Sequence, residues 1–87
     1  MPMRFLDDAS NVAGTLQTFA RTVTDRTERG FYYNAANRIS NAGDVTEGFN
    51  VLAASLNGGD NKWNLDCAGA LEKLNAVDGV AIDASCD

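Results

Sequence analysis

The stretch from Phe31 to Asn57 limits the possible fold most, because its apolar residues recur at intervals of three and four. That spacing places them on one side of an α-helix. A helix with an apolar side must bury it, so we expect the other segments to pack against this one. The residues on this side are Tyr32, Ala35, Ile39, Ala42, Thr46, Phe49, Ala53 and Leu56, with Val45 and Leu52 beside them.

The sequence Asn41-Ala42-Gly43-Asp44 is the one point where this element could break. Gly43 suits a helix end, and Asp44 suits the cap of a new helix with Glu47 as its capping-box partner. The intervals of three and four between apolar residues nevertheless continue through Gly43 without a shift. We therefore predict one helix over 31–57, or two nearly collinear pieces, in preference to a sharp turn at 43–44.

A first helix is predicted near residues 8–29. Its apolar side consists of Val12, Ala13, Leu16, Phe19, Ala20 and Val23. Asp7 and Asp8 suit its start, Arg26 and Arg29 its last turn, and Gly30 the position after its end.

A third helix is predicted near residues 61–78, after the helix-ending sequence Asn57-Gly58-Gly59-Asp60, with Asp60 as its cap. Its apolar side consists of Trp63, Cys67, Ala70, Leu71, Leu74 and Val77, and Trp63 is expected to seal the end of the core. The tail, 79–87, alternates apolar and polar residues and should lie extended along the helices. The prediction is a single all-α domain over 1–87: a three-helix bundle with an extended tail, or a four-helix bundle if the central helix breaks.

The two cysteines permit a disulfide, because an extended tail is long enough to bring Cys86 back to Cys67. The bridge would stabilise the chain by about 3 kcal/mol in the chain-entropy model. The alternative is two free thiols in a reducing cytosol. With no histidine, two cysteines do not complete a structural zinc site within one chain.

The sequence contains no recognisable chemistry of catalysis. It has no histidine, no Gly-x-Ser-x-Gly element and no glycine-rich phosphate loop, so we predict no enzyme activity and no cofactor. The net charge of −5 argues against direct nucleic-acid binding. No apolar run reaches about 18 residues, which predicts no membrane-spanning helix. No signal peptide is visible, so a cytoplasmic location is expected, with a secreted protein as the alternative.

Two groups of residues are candidate binding surfaces. Arginines beside exposed aromatic rings are typical of protein interfaces, and this group comprises Arg26, Arg29, Phe31, Tyr33 and Arg38. The alternative is that the arginines complement a helix dipole while Tyr32 lies in the core. Spaced carboxylates can imitate a phosphate backbone, and this acidic group comprises Asp60, Asp66, Glu72, Asp78 and Asp83. Its alternative is a solvated face.

These observations favour a small acidic protein that binds another protein and regulates or inhibits it by occupying its surface. Small inhibitors encoded by phages or mobile elements fit this profile, and such a protein would act in the cytoplasm of the host cell. One alternative is an assembly subunit that forms a homodimer or larger oligomer through its helices. A second is a secreted helical domain held by a Cys67–Cys86 disulfide.

Overall fold

The computed structural model describes residues 9–58, 65–84 and 86, and within them it contains four α-helices and no β-strand. The helices are α1 (Ala9–Ala20), α2 (Arg26–Ala42), α3 (Val45–Asn57) and α4 (Cys67–Asn75). Each packs mainly on the next: α1 on α2, α2 on α3, and α3 on α4. The predicted all-α fold is therefore confirmed, in its four-helix form.

The first helix is shorter than predicted, since α1 ends at Ala20 and not near residue 29. The Thr22 hydroxyl donates to the Phe19 carbonyl at 2.7 Å, a local hydrogen bond that competes with further helix. Asp25 then caps α2 by accepting from the Glu28 N–H at 3.0 Å. Arg26 and Arg29 thus lie in the first turn of α2, and Gly30 lies inside it. Placing these three residues at the end of the first helix was wrong.

The central element is two helices, so the preferred prediction of one continuous or nearly collinear helix was wrong. Gly43 ends α2 in the left-handed conformation (φ 68°), and Asp44 caps α3 by accepting from the Glu47 N–H at 3.2 Å. A Cβ added to Gly48 would lie 3.2 Å from the Ala35 carbonyl oxygen. In a straight helix these two residues would be about 20 Å apart, so the chain turns back at Gly43.

The unbroken apolar spacing misled the prediction because both helices bury their apolar sides in the same core. Tyr32, Ile39, Phe49 and Leu56 are all buried as expected. The break is visible only at the two stripe positions nearest to it: Ala42 is exposed and Thr46 is half-buried. The chain therefore changes direction at Gly43 without any shift in the three- and four-residue spacing of its apolar residues.

The core draws side chains from all four helices and from the C-terminal segment. Its largest fully buried side chains are Val12, Leu16, Ile39, Phe49, Leu52 and Leu74. The Phe19 and Tyr32 rings meet edge to face with their centroids 4.9 Å apart. Burial, with a smaller contribution from the nearby Glu28 carboxylate, raises the pKa of Tyr32 to about 12.

The last helix is also shorter than predicted: α4 begins at Cys67 and ends at Asn75, where 61–78 was expected. Its cap is Asp66, which accepts from the Gly69 N–H at 2.8 Å. Val77, predicted to face the core, is exposed. The predicted roles of Asp7, Asp8, Asp60 and Trp63 lie outside the described residues.

The C-terminal segment follows the predicted alternation at its centre, where Ile82 is buried and Ala81 is exposed. Residues 80–84 form neither helix nor strand. The segment is therefore a strap laid against the core, in which Ile82 is buried and Val80, Ala84 and Cys86 are partly buried.

Candidate functional site

The two aromatic residues of the arginine and aromatic group do not form one exposed patch. Phe31 and Tyr33 are two positions apart in α2, which places them about 160° apart around the helix. Both are half-buried and pack against the core from opposite flanks of Tyr32. The structure therefore does not place the two rings on one exposed surface.

The three arginines of that group have separate surroundings. The Arg29 Nε donates to the Val23 carbonyl at 2.9 Å and so ties down the connection between α1 and α2. Arg38 pairs with Glu47 at 3.2 Å across the α2–α3 turn, an exposed ion pair that contributes little stability. Arg26 is exposed at the start of α2. The structure does not bring these residues together, and their role in binding stays a prediction.

The acidic group is also dispersed over the described part of the chain. Asp66 caps α4, Glu72 is exposed on that helix, Asp78 lies in the turn after it, and Asp83 is half-buried in the strap. Asp60 lies outside the described residues. Within residues 9–58 and 65–84, no three potential metal ligands lie close enough to hold an ion.

A cleft of about 570 Å³ lies between the outer side of α1 and the turn that follows α4. The α1 wall carries uncharged side chains, because Ala9–Ala20 contains no ionisable residue. The opposite wall is the turn 77–80, in which Gly79 has a φ of 86°. The lining residues are Ser10, Asn11, Gly14, Thr15, Thr18, Phe19, Thr22, Val77, Asp78, Gly79 and Val80.

Val77 gives this cleft an exposed apolar side chain. It is 37% exposed, and it is the large hydrophobic residue that the described part of the chain leaves in solvent. Asp78 beside it is the ionisable residue of the lining. Thr15 and Thr22 each donate their hydroxyl to a carbonyl of their own helix, at 3.0 Å and 2.7 Å, so their oxygens are left as acceptors.

The cleft thus combines an apolar contact, hydrogen-bond acceptors and one negative charge. The sequence analysis missed it. The absence of charge across Ala9–Ala20 was the one signal in the sequence that pointed to it.

Two asparagines at helix ends hold the segments that follow them. Asn57 ends α3: its Nδ2 donates to the Leu65 carbonyl at 2.9 Å, and its Oδ1 accepts from the Leu65 N–H at 2.7 Å. Asn75 ends α4 and binds Ile82 in the same way, at 2.9 Å and 2.7 Å. Each asparagine side chain supplies the hydrogen-bond partners for both the N–H and the carbonyl of one backbone residue. We call these two pairs amide clamps. Sequence reasoning did not identify them, because an asparagine at a helix end also suits an ordinary turn.

A disulfide joins Cys67, the first residue of α4, to Cys86 in the C-terminal segment. The two Cα atoms are 6.0 Å apart, and the residues are 19 positions apart in sequence. Of the two alternatives for the cysteines, the structure contains the bridge. Together with the Asn75 clamp, it fixes the position of the turn 77–80, which forms one wall of the cleft.

The described helices include none that is long and apolar enough to span a membrane. Comparison with family models, curated proteins and solved structures gives no match to this chain. The features of the chain that bear on its function are therefore the cleft, the net charge and the disulfide-bonded C-terminal segment.

Proposed function

We propose that this chain is a non-enzymatic protein-binding domain that regulates or inhibits a larger partner by occupying its surface. The binding surface is the cleft between α1 and the turn 77–80. The observation that supports this most directly is Val77, exposed at the rim of a cleft whose helical wall carries no charge.

The character of this surface favours a protein partner. Covering uncharged side chains costs less than covering charged ones, whose desolvation must be offset by new partners. A few side chains that become well packed and fully desolvated contribute most of the binding energy of an interface. An apolar side chain of the partner would fill the cleft against Val77 and Phe19.

The charge of the chain defines the partner further. The net charge of −5 attracts a basic surface and raises its association rate. Asp78 at the cleft would accept a hydrogen bond from a lysine or arginine of the partner. The proposed partner is therefore a basic protein with an apolar residue at the centre of its contact surface.

One observation supports a role without catalysis: the chain has no histidine to act as a base near neutral pH.

The decisive experiment compares two substitutions of the same kind. Val77→Arg places a charge at the cleft, whereas Ala54→Arg places one on the exposed side of α3, away from it. The wild-type chain is used to capture a partner from cells that produce it, and the partner's affinity for each variant is then measured by calorimetry. We expect the cleft variant to lose at least about tenfold in affinity and the control to lose little.

Equal affinity of the two folded variants would refute the cleft as the binding surface. Sedimentation of the free chain over a concentration series tests the alternative of self-association, which stays a prediction. A partner that proves to be a second copy of the chain would replace the inhibitor hypothesis with the assembly hypothesis.

The disulfide favours a second candidate function, that of a secreted helical domain. Disulfides persist mainly in oxidising compartments. Alkylation of free thiols at the moment of cell lysis, followed by mass measurement, tests this candidate. An unmodified bridged chain outside the cell supports it, and two alkylated cysteines in chain recovered from the cytosol refute it.

A further inference from the structure

We propose that Asn57 and Gly58 form a modification site gated by folding: the Asn57 carboxamide is hydrolysed to a carboxylate when the chain opens, and it is protected while the Asn57–Leu65 clamp is closed. Asn57-Gly58 is the only Asn-Gly pair in the sequence.

The reaction needs only water. The Gly58 backbone nitrogen loses its proton and attacks Cγ of Asn57, a new C–N bond closes a five-membered succinimide, and the side-chain nitrogen leaves as ammonia. Water then adds to one of the two ring carbonyls and opens the ring to aspartate or isoaspartate. One water is consumed and one ammonia is released. Glycine favours the attack because it has no Cβ to hinder ring closure.

The fold requires both members of this reactive pair. Gly58 has φ 63° and ψ −168°, a combination that is essentially confined to glycine. The clamp needs a side chain that donates and accepts at once, and an asparagine carboxamide does both. An aspartate has the same shape but has no hydrogen to donate to the Leu65 carbonyl. The labile pair is therefore present because the end of α3 needs each residue.

The same contacts engage both reacting groups in other hydrogen bonds in the folded chain. The carboxamide is engaged through both polar atoms with Leu65, at 2.9 Å and 2.7 Å. The Gly58 N–H donates to the Ala54 carbonyl at 3.3 Å. Asn57 is also the last residue of α3, and ring closure requires its backbone to leave the helical range. The reaction must therefore wait until this end of α3 opens.

The Asn75 clamp provides an internal comparison. It has the same two hydrogen bonds, made to Ile82, but the next residue is Ala76. The methyl group of alanine hinders the attack that glycine permits. The two clamps thus match in geometry and differ in reactivity, so only the first is a modification site.

Conversion of Asn57 to aspartate or isoaspartate permanently alters the Asn57–Leu65 clamp. A carboxylate oxygen would replace the Nδ2 that lies 2.9 Å from the Leu65 carbonyl oxygen, and a hydrogen bond becomes a repulsive contact. A chain that has opened and reacted cannot restore the clamp. The site therefore limits how often the protein can unfold without loss.

The experiment uses the full chain with its disulfide intact, incubated at neutral pH in native buffer and in guanidinium chloride. Peptide mapping by mass spectrometry follows the change from amide to acid at residues 57 and 75. We expect conversion at residue 57 to be at least about a hundredfold slower in the native chain, because the open fraction is small. Residue 75 should remain an amide in both. Equal rates at residue 57 in the two solvents, or equal reactivity of the two asparagines in denaturant, would overturn the proposal.

The consequence of conversion is tested separately with Asn57→Asp, a direct copy of one product. The matched control is Asn50→Asp, which makes the same charge change at an exposed position of the same helix. The unfolding equilibrium constant should rise about tenfold for the first variant and change little for the second. Equal stability of the two variants would show that the clamp does not make the modification costly.

Discussion

The contact between α2 and α3 at Gly48 supports a prediction with a defined magnitude. Gly48 is buried in the first turn of α3. A Cβ at this position would overlap Cγ1 of Ile39, lie 2.5 Å from its Cδ1, and lie 3.2 Å from the Ala35 carbonyl oxygen. Gly48→Ala should therefore destabilise the protein, although alanine is the better helix former.

Two opposing terms set the size of the effect. Replacing glycine by alanine inside a helix stabilises it by about 1 kcal/mol. Adding a methyl group to a closed contact costs about 1–3 kcal/mol. Ile39 is fully buried and β-branched, which restricts how its side chain can move aside, so we apply the upper half of that range. The net loss should be about 1–2 kcal/mol.

Gly30→Ala is the matched control, because Gly30 is also inside a helix but an added Cβ would have nothing within 4 Å. It should stabilise the chain by about 1 kcal/mol. Urea unfolding followed by circular dichroism would then separate the two variants by about 2–3 kcal/mol. For a domain of this size that is a difference of roughly 10–20 °C in Tm.

A double-mutant cycle identifies the cause. Ile39→Ala alone should cost about 2–5 kcal/mol, and the cost should be smaller in the Gly48→Ala background because the overlap is relieved. The reasoning is refuted if Gly48→Ala is as stable as Gly30→Ala, or if the two effects at positions 39 and 48 simply add.

Three further predictions concern the fastened C-terminal segment and the core tyrosine. Asn75→Ala removes two part-buried hydrogen bonds to the Ile82 backbone and should cost about 1–2 kcal/mol, whereas Asn37→Ala at an exposed position should cost little; urea midpoints compare them. Reduction of the disulfide should lower the free energy of unfolding by about 3 kcal/mol, and an unchanged urea midpoint in dithiothreitol would contradict this. In a Tyr33→Phe chain, absorbance should show Tyr32 ionising near pH 12; the stability from its neutral form is complete below pH 10 and is lost as the pH rises from 10 to 12.

The sequence predicted the class of the fold better than its connections. Spacing identified most of the buried residues of the four helices, because burial repeats with the period of the helix, although it missed Ala36 and included the exposed Ala42. It did not locate the breaks. The apolar pattern continues through Val23, but the helix ends earlier: the Thr22 and Val23 N–H groups donate to the Phe19 and Ala20 carbonyls in a tight turn, and the Thr22 hydroxyl also donates to Phe19. The capping residues at Gly43 and Asp44 were visible in the sequence. We gave more weight to the apolar spacing, which continues without a shift from one helix to the next.

The candidate surface was beyond sequence reasoning for a different reason. The arginine and aromatic group looked contiguous because its members are close along the chain, yet helical geometry separates Phe31 from Tyr33. The cleft joins α1 to a turn more than 50 residues later, and such proximity depends on the tertiary fold. The disulfide was foreseeable as an alternative because the length of the tail permitted it.

Each helix packs mainly on the helix next to it in sequence, and this affects the rate of folding. Contacts between neighbouring segments require only short loops to close, so assembly should proceed rapidly from helical pairs. Oxidation of the Cys67 and Cys86 thiols follows more slowly, because disulfide formation takes seconds to hours. A newly made chain would thus reach its native shape within milliseconds and become covalently locked on the slower timescale of thiol chemistry.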